Sequence, residues 1–173
     1  MKIIFSDFDG TLTKQGNFSP VFFDVLNLIQ SKKLKFVIVT GRALSWSHFL
    51  MTHFPLDACI TEGGGMLSVK EGSGFMDHCL VEQENLEYLH EVTQELLNKF
   101  SNLQLSEDSL CRISDRAIEL SLLEKESLLL SVQEFLDSKN INHSCSSVHL
   151  NYWMGDFSKA SAIELYLQNF SDE

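Results

Sequence analysis

The sequence predicts an α/β fold: a Rossmann-like core with a parallel sheet, interrupted by an inserted α+β module. Three observations predict it. Short β-branched and aromatic runs alternate with helix-spaced apolar residues over the first 65 positions. That rhythm then breaks, and a last amphipathic helix follows it at the end of the chain. The expected core is residues 1–65 with 153–173, and the expected inserted module is 66–152. A length of 173 residues suits a compact core carrying one such module.

Lys2 to Ser6 reads as a buried central strand that stops at Asp7. Ser19-Pro20 supplies an N-cap and a proline at the first helical position. Val21, Phe22, Val25, Leu26, Leu28 and Ile29 continue it at helical spacing, and Lys32 and Lys33 sit at the favourable C-terminal end. Phe36 to Val39 is a second buried strand, ending at Thr40-Gly41-Arg42. A helix over Leu44 to His53 leads to a third strand, Ala58 to Thr61, which runs into Glu62-Gly63-Gly64-Gly65. Strand, helix, strand, helix, strand implies parallel pairing through right-handed crossovers.

Met66 to Leu80 is punctuated by Gly and Ser and reads as a hairpin. Leu86, Leu89, Val92, Leu96 and Phe100 form one apolar helix face. Ile118, Leu120 and Leu122 alternate with Glu119 and Ser121, the period of a strand. Ser121 and Glu124 fit a capping box ahead of a helix carrying Leu128, Val132, Phe135 and Leu136. Val148 to Trp153 is another strand. The last helix runs from Ser158, its N-cap, to about Phe170, with Lys159 in its first turn. No internal repeat or linker interrupts the chain.

Composition narrows function. With 13 Lys+Arg against 24 Asp+Glu, the formal charge is -11, which argues against a nucleic-acid surface because no cationic excess exists to release counterions. A small anionic ligand needs only one local positive pocket. Cys59, Cys79, Cys111 and Cys145 contain no C-x-x-C pair, so free thiols in a reducing cytoplasm are expected. No apolar run reaches membrane-spanning length, and the N-terminus meets acidic residues too early for a signal peptide.

The chemistry concentrates in Asp7-Phe8-Asp9-Gly10-Thr11. Two carboxylates one residue apart leave the carboxyl end of the first strand, where open α/β sheets place ligands. Such a pair can hold Mg²⁺, or divide nucleophilic and proton-transfer work. Thr40-Gly41-Arg42 brings a hydroxyl and helix-start N–H groups to the end of the second strand, and Lys159 opens the last helix. Each also has an ordinary structural reading: a solvated strand-end turn, a strand-to-helix connection, a surface lysine. Their co-occurrence carries the argument.

Together these segments resemble the haloacid dehalogenase (HAD) superfamily of aspartate-nucleophile phosphatases. Asp7-Phe8-Asp9-Gly10-Thr11 is similar to the family's first motif (DxDGT), Val37 to Arg42 to its second, and Ser158-Lys159-Ala160-Ser161-Ala162 to its third. The long insert resembles the large α/β cap of the sugar-phosphatase branch, which acts on sucrose phosphate, trehalose phosphate, mannosyl-3-phosphoglycerate or, in archaea, phosphoglycolate. Ile60 to Gly65 sits where that branch carries an Asn-Gly pair.

The resemblance implies that Asp7 is the nucleophile and that Asp9 is the general acid/base. It implies Mg²⁺ held by the Asp7 carboxylate and the Asp9 main-chain carbonyl, and a phosphoryl group bound by Thr40, Gly41 and Lys159, with Lys159 restraining Asp7. An Asp at the second motif position separates this pattern from the P-type ATPases, which have Thr there. The substrate is expected to be a small phosphorylated metabolite, a sugar phosphate, with Arg42, Arg112, Arg116, His149 and Asn151 as candidate substrate contacts. The insert is expected to pack over the carboxyl ends of the core strands.

One element of the family pattern is missing. A fourth, acidic motif (GDxxND-like) should follow the last helix, but the chain reaches Ser171-Asp172-Glu173 without it. Gly155-Asp156 precedes Lys159 and reads as a loop. The third acidic metal ligand is therefore absent, and Ile163, Tyr166 and Leu167 are expected to lack core to cover. A fragment, a natural truncation, and a site completed by an oligomer or partner chain all fit. The alternative function is a catalytically silent domain that binds a phosphorylated ligand or partner.

Overall fold

Alternation along one strand organises the first part of the molecule. In the computed structural model, which describes residues 2–170, β1 (Ile3–Asp7), β4 (Lys35–Val39) and β5 (Ala58–Thr61) pair in parallel. Phe36 and Ile38 point to one face of β4, where they join Phe22, Leu26 and Ile29 of α1 (Pro20–Ser31) and Leu50 of α2 (Leu44–His53). Val37 and Val39 point to the other face, against Ala162 and Tyr166 of α6 (Lys159–Asn169). Each Val, Leu, Ile or Phe side chain so buried contributes roughly 1.5–3 kcal/mol of transfer free energy.

Two short strands, β2 (Thr13–Lys14) and β3 (Asn17–Phe18), follow β1 and turn through Gln15 and Gly16, both at positive φ.

Beyond β5 the sheet departs from the expected all-parallel pattern. β6 (Met66–Glu71) pairs antiparallel with β5, and β7 (Gly74–Cys79) with β6, giving the order β1-β4-β5-β6-β7. The hairpin assigned by sequence to the inserted module thus extends the core sheet. The cause is local: the chain reverses within Glu62–Gly65, so β6 meets its neighbour without a crossover helix, and Met66, Leu67 and Ser68 are buried there.

The chain divides into two compact units: residues up to Leu80 with those from Phe157 onward, and Val81–Asp156. The second contains α3 (Gln83–Lys99), β8 (Asp115–Glu119), α4 (Leu120–Lys125), α5 (Leu129–Ser138), β9 (Asn142–Cys145) and β10 (His149–Trp153). Its antiparallel sheet has the order β8-β10-β9. Leu89, Val92, Leu96, Ile118, Leu123, Val132, Leu136, Leu150 and Tyr152 form its core.

Two local expectations are corrected here. The strand read through Leu122 ends at Glu119, and the chain is already helical at Leu120. Leu120 and Leu123, three apart, both pack on the unit's core, and that helical spacing outweighs the alternation of Leu120 and Leu122. Ser121 therefore lies inside α4 and caps nothing; Glu119 stands at the N-cap without a side-chain capping bond.

At α6 the expectation holds: Ser158 Oγ accepts from the Ser161 N–H, and Ser161 Oγ accepts from the Ser158 N–H. Of the three apolar residues expected to lack cover, Tyr166 is buried edge-on to Phe5, with ring centroids 5.9 Å apart, and Ile163 packs on the same cluster. Only Leu167 is exposed. Ile3 and Phe5 of β1, Val37 and Val39 of β4 and Ile60 of β5 form the cluster on which Tyr166 and Ile163 pack. Ser171–Glu173 lie outside the described residues.

Candidate active site

Phe8 is the hinge of the site. It is buried, and its carbonyl accepts the Leu12 and Thr13 N–H groups, closing a tight turn in which Gly10 takes a φ of 76°. The carboxylates on either side of it, Asp7 and Asp9, emerge half-exposed at the end of β1. Asp7 lies opposite Val39 in the parallel ladder, so Thr40 and Gly41 leave β4 directly beside it.

Each acid faces one cation. Lys159, delivered by the first turn of α6, donates from Nζ to Asp7 Oδ1 at 2.9 Å. Arg42 grips Asp9 with a fork: Nε lies 3.1 and 2.9 Å from Oδ1 and Oδ2, and Nη2 lies 2.7 Å from Oδ1. The guanidinium rests 3.8 Å from the centre of the Trp46 ring, which fixes its plane. Pairs this exposed add only about 0–1 kcal/mol to stability, so their value is positional. Thr40 is buried, and its Oγ1 accepts the Arg42 N–H at 3.2 Å, which draws the Thr40-Gly41-Arg42 loop tight.

Asp7, Asp9, Thr40, Gly41, Arg42 and Lys159, separated by up to 152 positions in sequence, thus belong to one region of the first unit. The remaining candidates, Arg112, Arg116, His149 and Asn151, lie in the second unit. There Arg112 is buried between Asp108 and Asp115, at 2.8 Å from each. Burial opposes the Arg112 charge, but the two carboxylates outweigh it and drive its pKa up. Burial likewise would raise the Asp108 carboxyl, yet hydrogen bonds from Arg112 and Ser106 hold it below its usual value. Asn151 donates to Asp115 at 3.2 Å, His149 pairs with Glu119 at 2.9 Å, and Arg116 donates to the carbonyls of Arg112, Ile113 and Asp115. Arg112 is a structural cation rather than the surface residue its type suggests.

Sequence reasoning passed over Glu62. It is buried at a φ of 53°, its N–H donates to the Arg42 carbonyl at 2.9 Å, and its Oε1 accepts the Leu44 N–H at 3.1 Å. An acid between a buried strand and a glycine run was the available signal.

The donor set suits Mg²⁺ only as a sparsely held ion. Asp7 Oδ2 makes no hydrogen bond among the described residues, and the Asp9 carbonyl lies two residues along the chain. No group of three or more His, Cys, Asp or Glu residues converges among the described residues. Mg²⁺ that keeps several waters needs no more than one or two carboxylates, so the site fits it in that form.

The chain belongs to the haloacid dehalogenase-like hydrolase family, whose model matches residues 4–171. Its fold is similar to that of a Thermoplasma acidophilum protein, with a TM-score of 0.75 at 15% identity over 100% of this chain and 73% of that one. The C-terminal domain of Candida albicans trehalose-6-phosphate phosphatase gives 0.72 at 12% identity, covering 97% of this chain and 62% of the other. The sucrose-phosphatase of Synechocystis, solved with sucrose and phosphate, gives 0.62 at 16% identity, over 99% and 71%. At these identities the likeness is one of fold. No curated protein sequence matches the chain. Among the described residues, no helix is long and apolar enough to cross a membrane.

Proposed function

We propose that the chain is an Mg²⁺-dependent phosphomonoester hydrolase that acts through an aspartyl-phosphate on a small phosphorylated metabolite, a sugar phosphate. The observation that carries this reading is the Lys159–Asp7 contact, which sets a cation against a carboxylate at the end of β1. Asp7 attacks phosphorus through Oδ2; the bond to the leaving oxygen breaks, and that oxygen takes its proton from the Asp9 carboxyl, which must leave the Arg42 fork to carry it. Water then attacks phosphorus, Asp9 takes the proton, and the bond to Asp7 breaks to release phosphate. Lys159 and the Thr40 hydroxyl, with the Gly41 N–H group, bind the equatorial oxygens, and Arg42 orients the ionised Asp9. Mg²⁺ at the Asp7 carboxylate and Asp9 carbonyl would neutralise phosphoryl charge when bound.

The sugar class is supported by the two phosphatases of similar fold, one named for trehalose-6-phosphate and the other solved with sucrose and phosphate. The exposed thiols of Cys111 and Cys145 suit a reducing cytoplasm. A second reading, a silent domain that holds a phosphorylated ligand without turnover, is favoured by the lack of a third convergent acid among the described residues.

Turnover of p-nitrophenyl phosphate with Mg²⁺ separates the two. Asp7→Asn should abolish that turnover, because an amide neither attacks phosphorus nor balances the metal's charge. Hydrolysis persisting in a clean Asp7→Asn preparation would overturn the nucleophile assignment, and phosphate binding without any turnover would favour the silent domain.

A further inference from the structure

We infer that the turn Glu62-Gly63-Gly64 is the positioning element that sets the spacing between the phosphate-site loop and Lys159. The inference rests on the phosphoryl-site reading above for its purpose, but its geometry stands independently of it.

The turn holds the β4 loop on one side. The Thr40 N–H donates to the Ile60 carbonyl at 2.8 Å, the Gly63 N–H to the Thr40 carbonyl at 3.2 Å, and the Glu62 N–H to the Arg42 carbonyl at 2.9 Å. The Glu62 carboxylate then accepts the Leu44 N–H at the first residue of α2. Four bonds therefore tie residues 60–63 to residues 40–44, the segment that presents Thr40, Gly41 and Arg42. A buried carboxylate at the positive end of a helix is favourably placed. Glu62 nonetheless adopts a φ of 53°, a left-handed conformation that a side chain of its kind rarely takes, so the surrounding bonds hold it there.

On its other side the turn receives α6. Gly64 has a φ of 116°, and a Cβ built on it would lie 2.3 Å from the Ser158 carbonyl oxygen, 2.4 Å from its carbon and 2.9 Å from the Lys159 nitrogen. These are backbone atoms, so they cannot rotate aside. Only glycine lets the capped end of α6 come this close, and that end carries the lysine bonded to Asp7. Glu62 and Gly64 touch no reacting atom in the proposed chemistry. They act through Arg42 and Lys159, one residue for each cation.

The test uses the full chain, with crystal structures and calorimetric titration of inorganic phosphate on wild type, Gly64→Ala, Glu62→Ala and Glu62→Gln. Gly64→Ala should push α6 outward, break the Lys159–Asp7 contact and weaken phosphate binding by about tenfold or more, the scale of a lost charge-assisted bond. Glu62→Ala should shift residues 40–44 and weaken phosphate binding too, whereas Glu62→Gln, whose amide oxygen can still accept from Leu44, should restore most of it. A merely structural role would lower the melting temperature of all three without this split. If Gly64→Ala keeps the Lys159 contact at its present length, or Glu62→Ala leaves the loop and the phosphate affinity unchanged, the inference is overturned. If Gly64→Ala does not fold, the two Glu62 variants decide alone. If wild type binds no phosphate while the variants still move Lys159 and the loop, the positioning role stands and the phosphoryl reading falls.

Discussion

Asp9 accepts three hydrogen bonds from one guanidinium, while Asp7 accepts one from an ammonium, and in the proposed mechanism that asymmetry separates their duties. A fork fixes the plane of a carboxylate; a point charge leaves Asp7 Oδ2 open to react. Arg42→Lys keeps the charge but loses the fork and the broad face that stacks on Trp46. In an active preparation it should lower kcat for p-nitrophenyl phosphate by roughly ten- to a hundredfold, the range of misoriented proton transfer, with a smaller change in KM. Unchanged steady-state constants would show that Asp9 needs no orientation from Arg42. At this scale the acids and Lys159 are readable from the sequence because their motifs are contiguous and their residue types specific. Trp46 reads only as a packing aromatic, since nothing local reveals that its ring lies under a guanidinium.

Lys159 reaches Asp7 because α6 begins where it does, and the start is fixed by the reciprocal Ser158–Ser161 bonds. Ser158→Ala removes the acceptor for the Ser161 N–H and should cost about 1 kcal/mol in urea unfolding, with the first turn of α6 fraying. A midpoint equal to wild type would mean that the close packing at Gly64 fixes the helix end without the cap. The contrast with Ser121 is instructive. Serine at both positions precedes a hydroxyl or acid three residues on, but only Ser158 follows a loop with extended backbone, at φ -154° and ψ 165°. Around Ser121 the need to bury Leu120 and Leu123 starts the helix earlier. The β6–β7 hairpin escaped assignment to the core for a related reason. Its pairing partner is chosen by a tight reversal at Glu62–Gly65, and composition carries no trace of that choice.

Each unit has its own core, and each core buries an acid that water would ionise at high pH. Cys59 and Tyr166 lie in the first unit, and Tyr152 lies in the second. Burial pushes the Cys59 thiol from 9.0 to about 12. Burial also lifts the Tyr152 phenol from 10.0 to about 12, with the nearby Asp115 charge assisting, and the Tyr166 phenol to about 12, with Asp57 assisting. All three bind protons more tightly folded than unfolded. Their stabilising effect is therefore complete below about pH 9 and is lost as pH rises toward 12, because only the unfolded chain can release those protons. For Tyr152 a shift of this size corresponds to about 3 kcal/mol at the alkaline limit. Thermal melts followed by circular dichroism should show a melting temperature that is flat near neutrality and falls steeply above about pH 9 to 10, where a thiol and phenol in the unfolded chain begin to ionise. Tyr166→Phe should leave the neutral melt nearly unchanged, since the phenol oxygen has no hydrogen-bond partner among the described residues, and should make the alkaline fall shallower. Tyr152→Phe should instead cost stability at pH 7, through its lost bond to Thr93 at 3.2 Å, while also flattening the alkaline limb. Melting temperatures that fall equally steeply in all three proteins would place the alkaline sensitivity in other groups and remove the buried phenols from the account.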